Sequence, residues 1–141
     1  MGCDIHMHSE IKIDGKWHHY SEMEGFRNYV IFNKMAGVRG FGSPDKPISE
    51  PRGLPEDVSP VTRLSSVWEG DVHSHSWLSL KEITDLCKWL REKSGTDRDG
   101  FIEQRFFGYL HGGTLWSEAL EEGELQKLGI EDARIVFWFD N

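Results

Sequence analysis

The run Ala133 to Asp140, ARIVFWFD, constrains the fold more than any other segment. Apolar residues follow one another without a break from Ile135 to Phe139. A strand with one wet face alternates apolar and polar side chains, so an unbroken β-branched and aromatic run predicts a strand buried on both faces. Such a strand must be paired inside a sheet, because its buried amides and carbonyls need partners.

The pairing partner is expected at the other end of the chain. Residues 3–13 alternate: Cys3, Ile5, Met7, Ile11 and Ile13 fall on one face, with Ser9 as the exception. Asp4, His6, His8, Glu10 and Lys12 fall on the other. Period two predicts a strand with one face in the core. Asp14-Gly15 is a hairpin turn signal, so a second strand is expected over about Lys16 to Tyr20.

Helices are expected to cover this sheet. Residues 28–37 read as a short helix closed by Gly37. The clearest helix spans 79–94: Ser79 and Glu82 form a capping box, and Leu80, Ile83, Leu86, Cys87 and Leu90 make the apolar stripe. Residues 101–110 lean toward helix, and 116–122 and 124–128 read as short helices. Arg39 to Pro60 carries all five prolines and reads as a long ordered loop. The expectation is a single α+β domain over residues 1–141: a small, mainly antiparallel sheet that includes both terminal strands, packed with helices.

Charge narrows the function classes. The net charge of −8 disfavours a duplex nucleic-acid partner, which needs clustered Lys and Arg. No apolar run approaches the length of a membrane span. Two cysteines, Cys3 and Cys87, make no disulfide framework, and the opening residues do not read as a secretion signal. A cytoplasmic setting is expected. Arg27, Arg39, Arg52 and Arg63 lie in a stretch of near-balanced charge, where a small anionic ligand could bind.

The chemistry concentrates in two segments, Asp4-Ile5-His6-Met7-His8 and Asp71-Val72-His73-Ser74-His75. Alternation puts Asp4, His6, His8 and Glu10 on one strand face. Imidazole and carboxylate at that spacing suit a divalent ion, zinc or manganese. If the second segment is also extended and faces the first, Asp4, His6, His8, Asp71, His73 and His75 could share one or two ions. Bound water would then be activated at neutral pH, with Glu10 as a general base. Arg27 with Asn28, and Arg52, are candidate anion clamps. Trp77 could stack a planar ligand.

Two resemblances arise here. Asp4-Ile5-His6-Met7-His8-Ser9 resembles the opening metal motif of the PHP and amidohydrolase-type hydrolases, which implies a metal-ligand strand; the chain is too short for their barrel. Over most of its length the chain also resembles small phage and prophage proteins of no assigned activity. The segments that carry this are Met1-Gly2-Cys3-Asp4-Ile5-His6, Arg27-Asn28-Tyr29, Arg52-Gly53-Leu54-Pro55, His75-Ser76-Trp77-Leu78 and Phe137-Trp138-Phe139-Asp140-Asn141. That resemblance implies a host-cytoplasm setting and a role in countering host defence. The expected function is metal-dependent hydrolysis of a small phosphorylated, nucleotide-like molecule. The alternatives are a non-catalytic protein, possible as a homo-oligomer, that sequesters such a ligand, and a structural or partner-binding phage protein.

Overall fold

The computed structural model describes residues 2–68, 70–94 and 121–141. The expectations for 101–110, for 116–120 and for a helix stop at Gly95 lie outside these residues. Strands β1 (Asp4–Ile13) and β2 (Lys16–Met23) form the expected hairpin. Its turn places Asp14 and Gly15 at φ 50° and 75°, the left-handed geometry that an Asp-Gly pair supplies. Helix α1 (Tyr29–Ala36) starts at Asn28, whose side-chain oxygen accepts from the amides of Val30 and Ile31. It ends at Gly37 in the left-handed region, as a C-cap glycine allows.

Helix α2 (Pro60–Trp68) has no counterpart in the sequence expectations. Its start carries a signal nonetheless: Ser59 followed by Pro60 suits an N-cap and first helical position. Strand β3 (Val72–Ser79) runs into α3 (Leu80–Ser94). The capping box forms as expected, with the Ser79 amide donating to Glu82 at 3.1 Å and the Glu82 amide to Ser79 Oγ at 3.2 Å. The short α4 (Glu124–Lys127) precedes β4 (Asp132–Asp140).

The four strands make one antiparallel sheet in the order β2-β1-β4-β3. The last strand is therefore central, beside the N-terminal hairpin, and Ala133 to Phe139 are all buried. One face carries the main core: Ile5 and Met7, Ile135, Phe137 and Phe139, packed under Phe32 and Met35 of α1 and Ile83 and Leu86 of α3. On the other face Val136 and Trp138 pack with Val58, Leu54 and Trp77. Each of these large side chains contributes roughly 2–3 kcal/mol when fully buried. No helix among the described residues is long and apolar enough to cross a membrane.

Two irregularities shape the polar face. Between Ser9 and Glu10 the β1–β2 register shifts, so β2 carries an extra residue at Tyr20. In β3, His73 pairs with Phe139 and Ser76 with Phe137, which leaves both Ser74 and His75 opposite Trp138. Ser74 sits at φ 57°. This bulge changes which face the following residues address.

Glu10 lies at the covered end of the polar face and is fully buried. One carboxylate oxygen accepts from Arg134 Nε and Nη2 at 2.9 and 2.7 Å. The other accepts from the Ser59 amide, the Ser59 hydroxyl and Thr62 Oγ1. Arg134 also reaches Asp57 and lies 3.9 Å from the centre of the Trp17 ring. The pair thus ties β1 and β4 to the 57–62 segment. Glu10→Ala leaves a buried guanidinium short of its main partner and should cost about 3–5 kcal/mol, measured by urea denaturation followed by tryptophan fluorescence. The double change Glu10→Leu with Arg134→Met should recover most of that loss; a loss under about 1 kcal/mol for Glu10→Ala would show that the pair does not hold the two layers together.

Candidate functional site at the open end of the sheet

The two histidine segments do not face each other, because β4 lies between β1 and β3. Nor does the second segment present both of its histidines together. The bulge at Ser74 sends His73 to the α1 face, where it stacks on Phe139 at 6.2 Å. His75 goes to the polar face and stacks on Trp138 at 5.7 Å. Asp71 is exposed in the turn before β3, at φ 55°.

The first segment keeps its expected face. His6 and His8 stack on Trp138 with ring centres 6.3 and 5.0 Å away, so three imidazoles surround one indole. Among the described residues the buried Trp138 Nε1 proton has no acceptor. His8 is 3% exposed, and its Nδ1 is 3.0 Å from His19 Nε2. Burial, assisted by His19, lowers the His8 pKa from 6.5 to about 4, against the opposing pull of Glu22 and Glu10. Burial also lowers His75, partly offset by its bond to the Ser66 backbone.

His6 is partly exposed and lines a cleft. Its Nε2 is hydrogen-bonded to Asp140 at the end of β4, with about a quarter of each side chain exposed. Antiparallel register places Asp4 directly opposite Asp140. Asp4 is held by Arg27 in a two-pronged pair at 2.9 and 3.0 Å, and those bonds keep its carboxyl below the usual range. Asp4, His6 and Arg27 line an open cleft of about 560 Å³ together with Glu22, Glu24 and Gly25. Gly25 is required there, since a Cβ on it would come within 2.4 Å of the Ile5 carbonyl oxygen.

The remaining sequence candidates are engaged elsewhere. Glu10 is locked in the Arg134 network; burial raises its pKa, but the bonds from Ser59, Arg134 and Thr62 outweigh this and hold it low. Glu10 is therefore fully buried among five hydrogen-bond donors and lies away from the Asp4–Arg27 cleft lining. Asn28 spends its side-chain oxygen on the α1 cap. Arg52 pairs with Glu82 at 2.6 and 2.8 Å, donates to the Trp77 carbonyl and stacks over the Trp77 ring, pinning the 51–53 loop along β3. Asp4, His6, His8, Asp71, His73 and His75 therefore do not form one coordination shell. Among the described residues no group of three or more His, Cys, Asp or Glu is arranged to hold an ion.

What sequence reasoning missed is Asp140. A carboxylate closing an apolar strand reads as a strand end, and its meeting with His6 appears only once β4 is laid antiparallel to β1. No protein-family model, curated protein or solved structure matches this chain.

The His8 environment has a pH signature. An unfolded His8 takes up its proton near pH 6.5, whereas the folded one does so only near pH 4. Acid therefore favours unfolding across that window, by about 3 kcal/mol in full below it. Urea titrations at pH 7 and pH 4 should show the loss, and His8→Gln should reduce the pH-dependent part by about 2–3 kcal/mol. An unchanged pH dependence in His8→Gln would contradict a buried neutral His8.

Proposed function

We propose that this protein binds a small phosphorylated, nucleotide-like molecule at the open end of the sheet and hydrolyses it with His6 as the general base. The observation that supports this is that His6, which lines the Asp4–Arg27 cleft, is paired through Nε2 with Asp140. A carboxylate that accepts from one imidazole nitrogen fixes the tautomer and leaves the lone pair on the other, here Nδ1. Water attacks phosphorus as its proton passes to His6 Nδ1. The phosphorus–oxygen bond to the leaving group breaks, and the proton passes from His6 to the departing oxygen. Asp140 keeps the ring oriented and stabilises its charged form.

A second reading, sequestration without turnover, is supported by a different observation. Most of the polar side chains named above are already partnered within the fold, which suits a stiff binding surface better than a metal-loaded centre. The resemblance to small phage proteins supports a setting in the host cytoplasm, countering a host nucleotide signal, under either reading.

The test is an assay of the purified protein with bis-p-nitrophenyl phosphate, p-nitrophenyl phosphate and a panel of nucleoside phosphates, with and without added zinc or manganese. Turnover should fall about 100-fold or more in His6→Asn and at least about tenfold in Asp140→Asn, with both variants folded. Intact nucleotide released on denaturation, with no turnover in any condition, would replace hydrolysis by sequestration. Turnover unchanged in His6→Asn would remove His6 from the chemistry.

A further inference from the structure

Helix α2 has its polarity reversed. A surface helix turns its apolar stripe to the core and its polar side chains to water. In α2 the inward side chains are hydroxyls: Ser59 just before the helix, Thr62 and Ser66 are all buried. Ser59 and Thr62 donate to the buried Glu10 carboxylate, and Ser66 Oγ donates to the Arg63 carbonyl at 2.7 Å. The carboxylate takes its donors from this face of the helix, so the apolar side chains are left outside. Val61, Leu64 and Val67 are 53%, 57% and 71% exposed. They are three of the seven large apolar side chains that stand exposed among the described residues, and all three lie on one nine-residue helix. Single exposed apolar side chains are ordinary, whereas a contiguous stripe marks a contact surface.

The stripe reads the same in both directions. Val61 and Val67 stand three residues on either side of Leu64. A two-fold axis at Leu64 sets Val61 against Val67 of a second copy, and Leu64 against Leu64, with the two helices antiparallel. A contact between identical chains needs such self-complementarity, and a contact with a foreign partner does not. Charge points the same way. The chain carries −8, so two copies repel each other except where acids are absent. From Ser59 to Trp68 there is no acid, and Arg63 is the single charge.

We infer that α2 is a self-association surface, on which two copies pair antiparallel through Val61, Leu64 and Val67 about a two-fold axis at Leu64. The three side chains offer apolar area on the order of 300 Å² per copy, against about 800 Å² per partner in a standard interface, so the pair is weak and reversible. None of the three lines the Asp4–Arg27 cleft, so this contact stands apart from the chemistry proposed there.

Translational diffusion of the whole protein, measured by NMR from about 10 µM to about 2 mM, tests the pairing. Diffusion should slow with concentration from the value of one copy toward that of two. Leu64→Lys, which sets two like charges on the axis, should weaken association at least about tenfold. Phe41→Lys, at an exposed apolar side chain on a different segment, should leave it within about twofold. All these positions are exposed, and thermal melts establish that the variants fold. Cysteine cross-linking under mild oxidation locates the axis, against a low background because Cys3 and Cys87 are buried. Leu64→Cys should form a disulfide-linked dimer at about 1 mM, since helices packed about 8–10 Å apart bring residues on the axis within disulfide reach. Val61→Cys alone should cross-link at least about tenfold less, and an equimolar mixture of Val61→Cys and Val67→Cys should form the mixed dimer. Diffusion unchanged up to about 2 mM would overturn the self-pairing and leave the stripe to a different partner. Association that survives Leu64→Lys, or Val61→Cys cross-linking where Leu64→Cys does not, would overturn the two-fold contact on α2.

Discussion

Strand β4 has a hydrogen-bonded neighbour on each side and a packed layer on each face, and the rest of the structure depends on that position. Antiparallel pairing with β1 and β3 satisfies its backbone. Burial of Phe137 and Phe139 toward α1 and α3, and of Val136 and Trp138 toward the 54–58 loop and Trp77, gives the sheet two apolar layers instead of one. The same pairing sets Asp140 and Asn141 against the beginnings of β1 and β3. The strand that holds the fold together thus also carries polar groups into the open end.

The two ends of the sheet are handled in opposite ways. At the covered end Arg134 and Glu10 satisfy each other beneath Ser59 and Thr62, and both side chains are buried. At the open end His6, Asp140, Arg39, His73 and Asn141 stay partly exposed. The β3 bulge divides the second histidine segment between the faces. His75 packs on Trp138, while His73 joins Arg39 and Asn141. Without the extra residue both imidazoles would address one face, as strict alternation predicts.

The fold was largely legible because its signals were local. The Asp14-Gly15 turn, the Ser79–Glu82 box, Gly37 and the unbroken β4 run each act over a few residues, and each formed the element it implied. Helix α2 was not foreseen: its apolar pattern is short and follows a proline-rich stretch, so only Ser59-Pro60 marked its start. The site was legible only in part. Alternation correctly placed His6 and His8 on one face with Glu10. It could not show that β4 would separate the two histidine segments, that Glu10 would be sealed by Arg134, or that Asp140 would meet His6, because these follow from strand order and register. Periodicity also fails wherever a bulge intervenes, as at Ser74.

Amide chemical-shift mapping of the isotopically labelled protein on addition of adenosine 5′-monophosphate tests most directly whether the open end of the sheet is a ligand site. The perturbed amides should cluster at Asp4 to His6, Glu22 to Arg27, and Asp140 to Asn141, and saturate with a single affinity. Perturbations confined to α2 and the Glu10–Arg134 end, or none at millimolar nucleotide, would contradict that assignment.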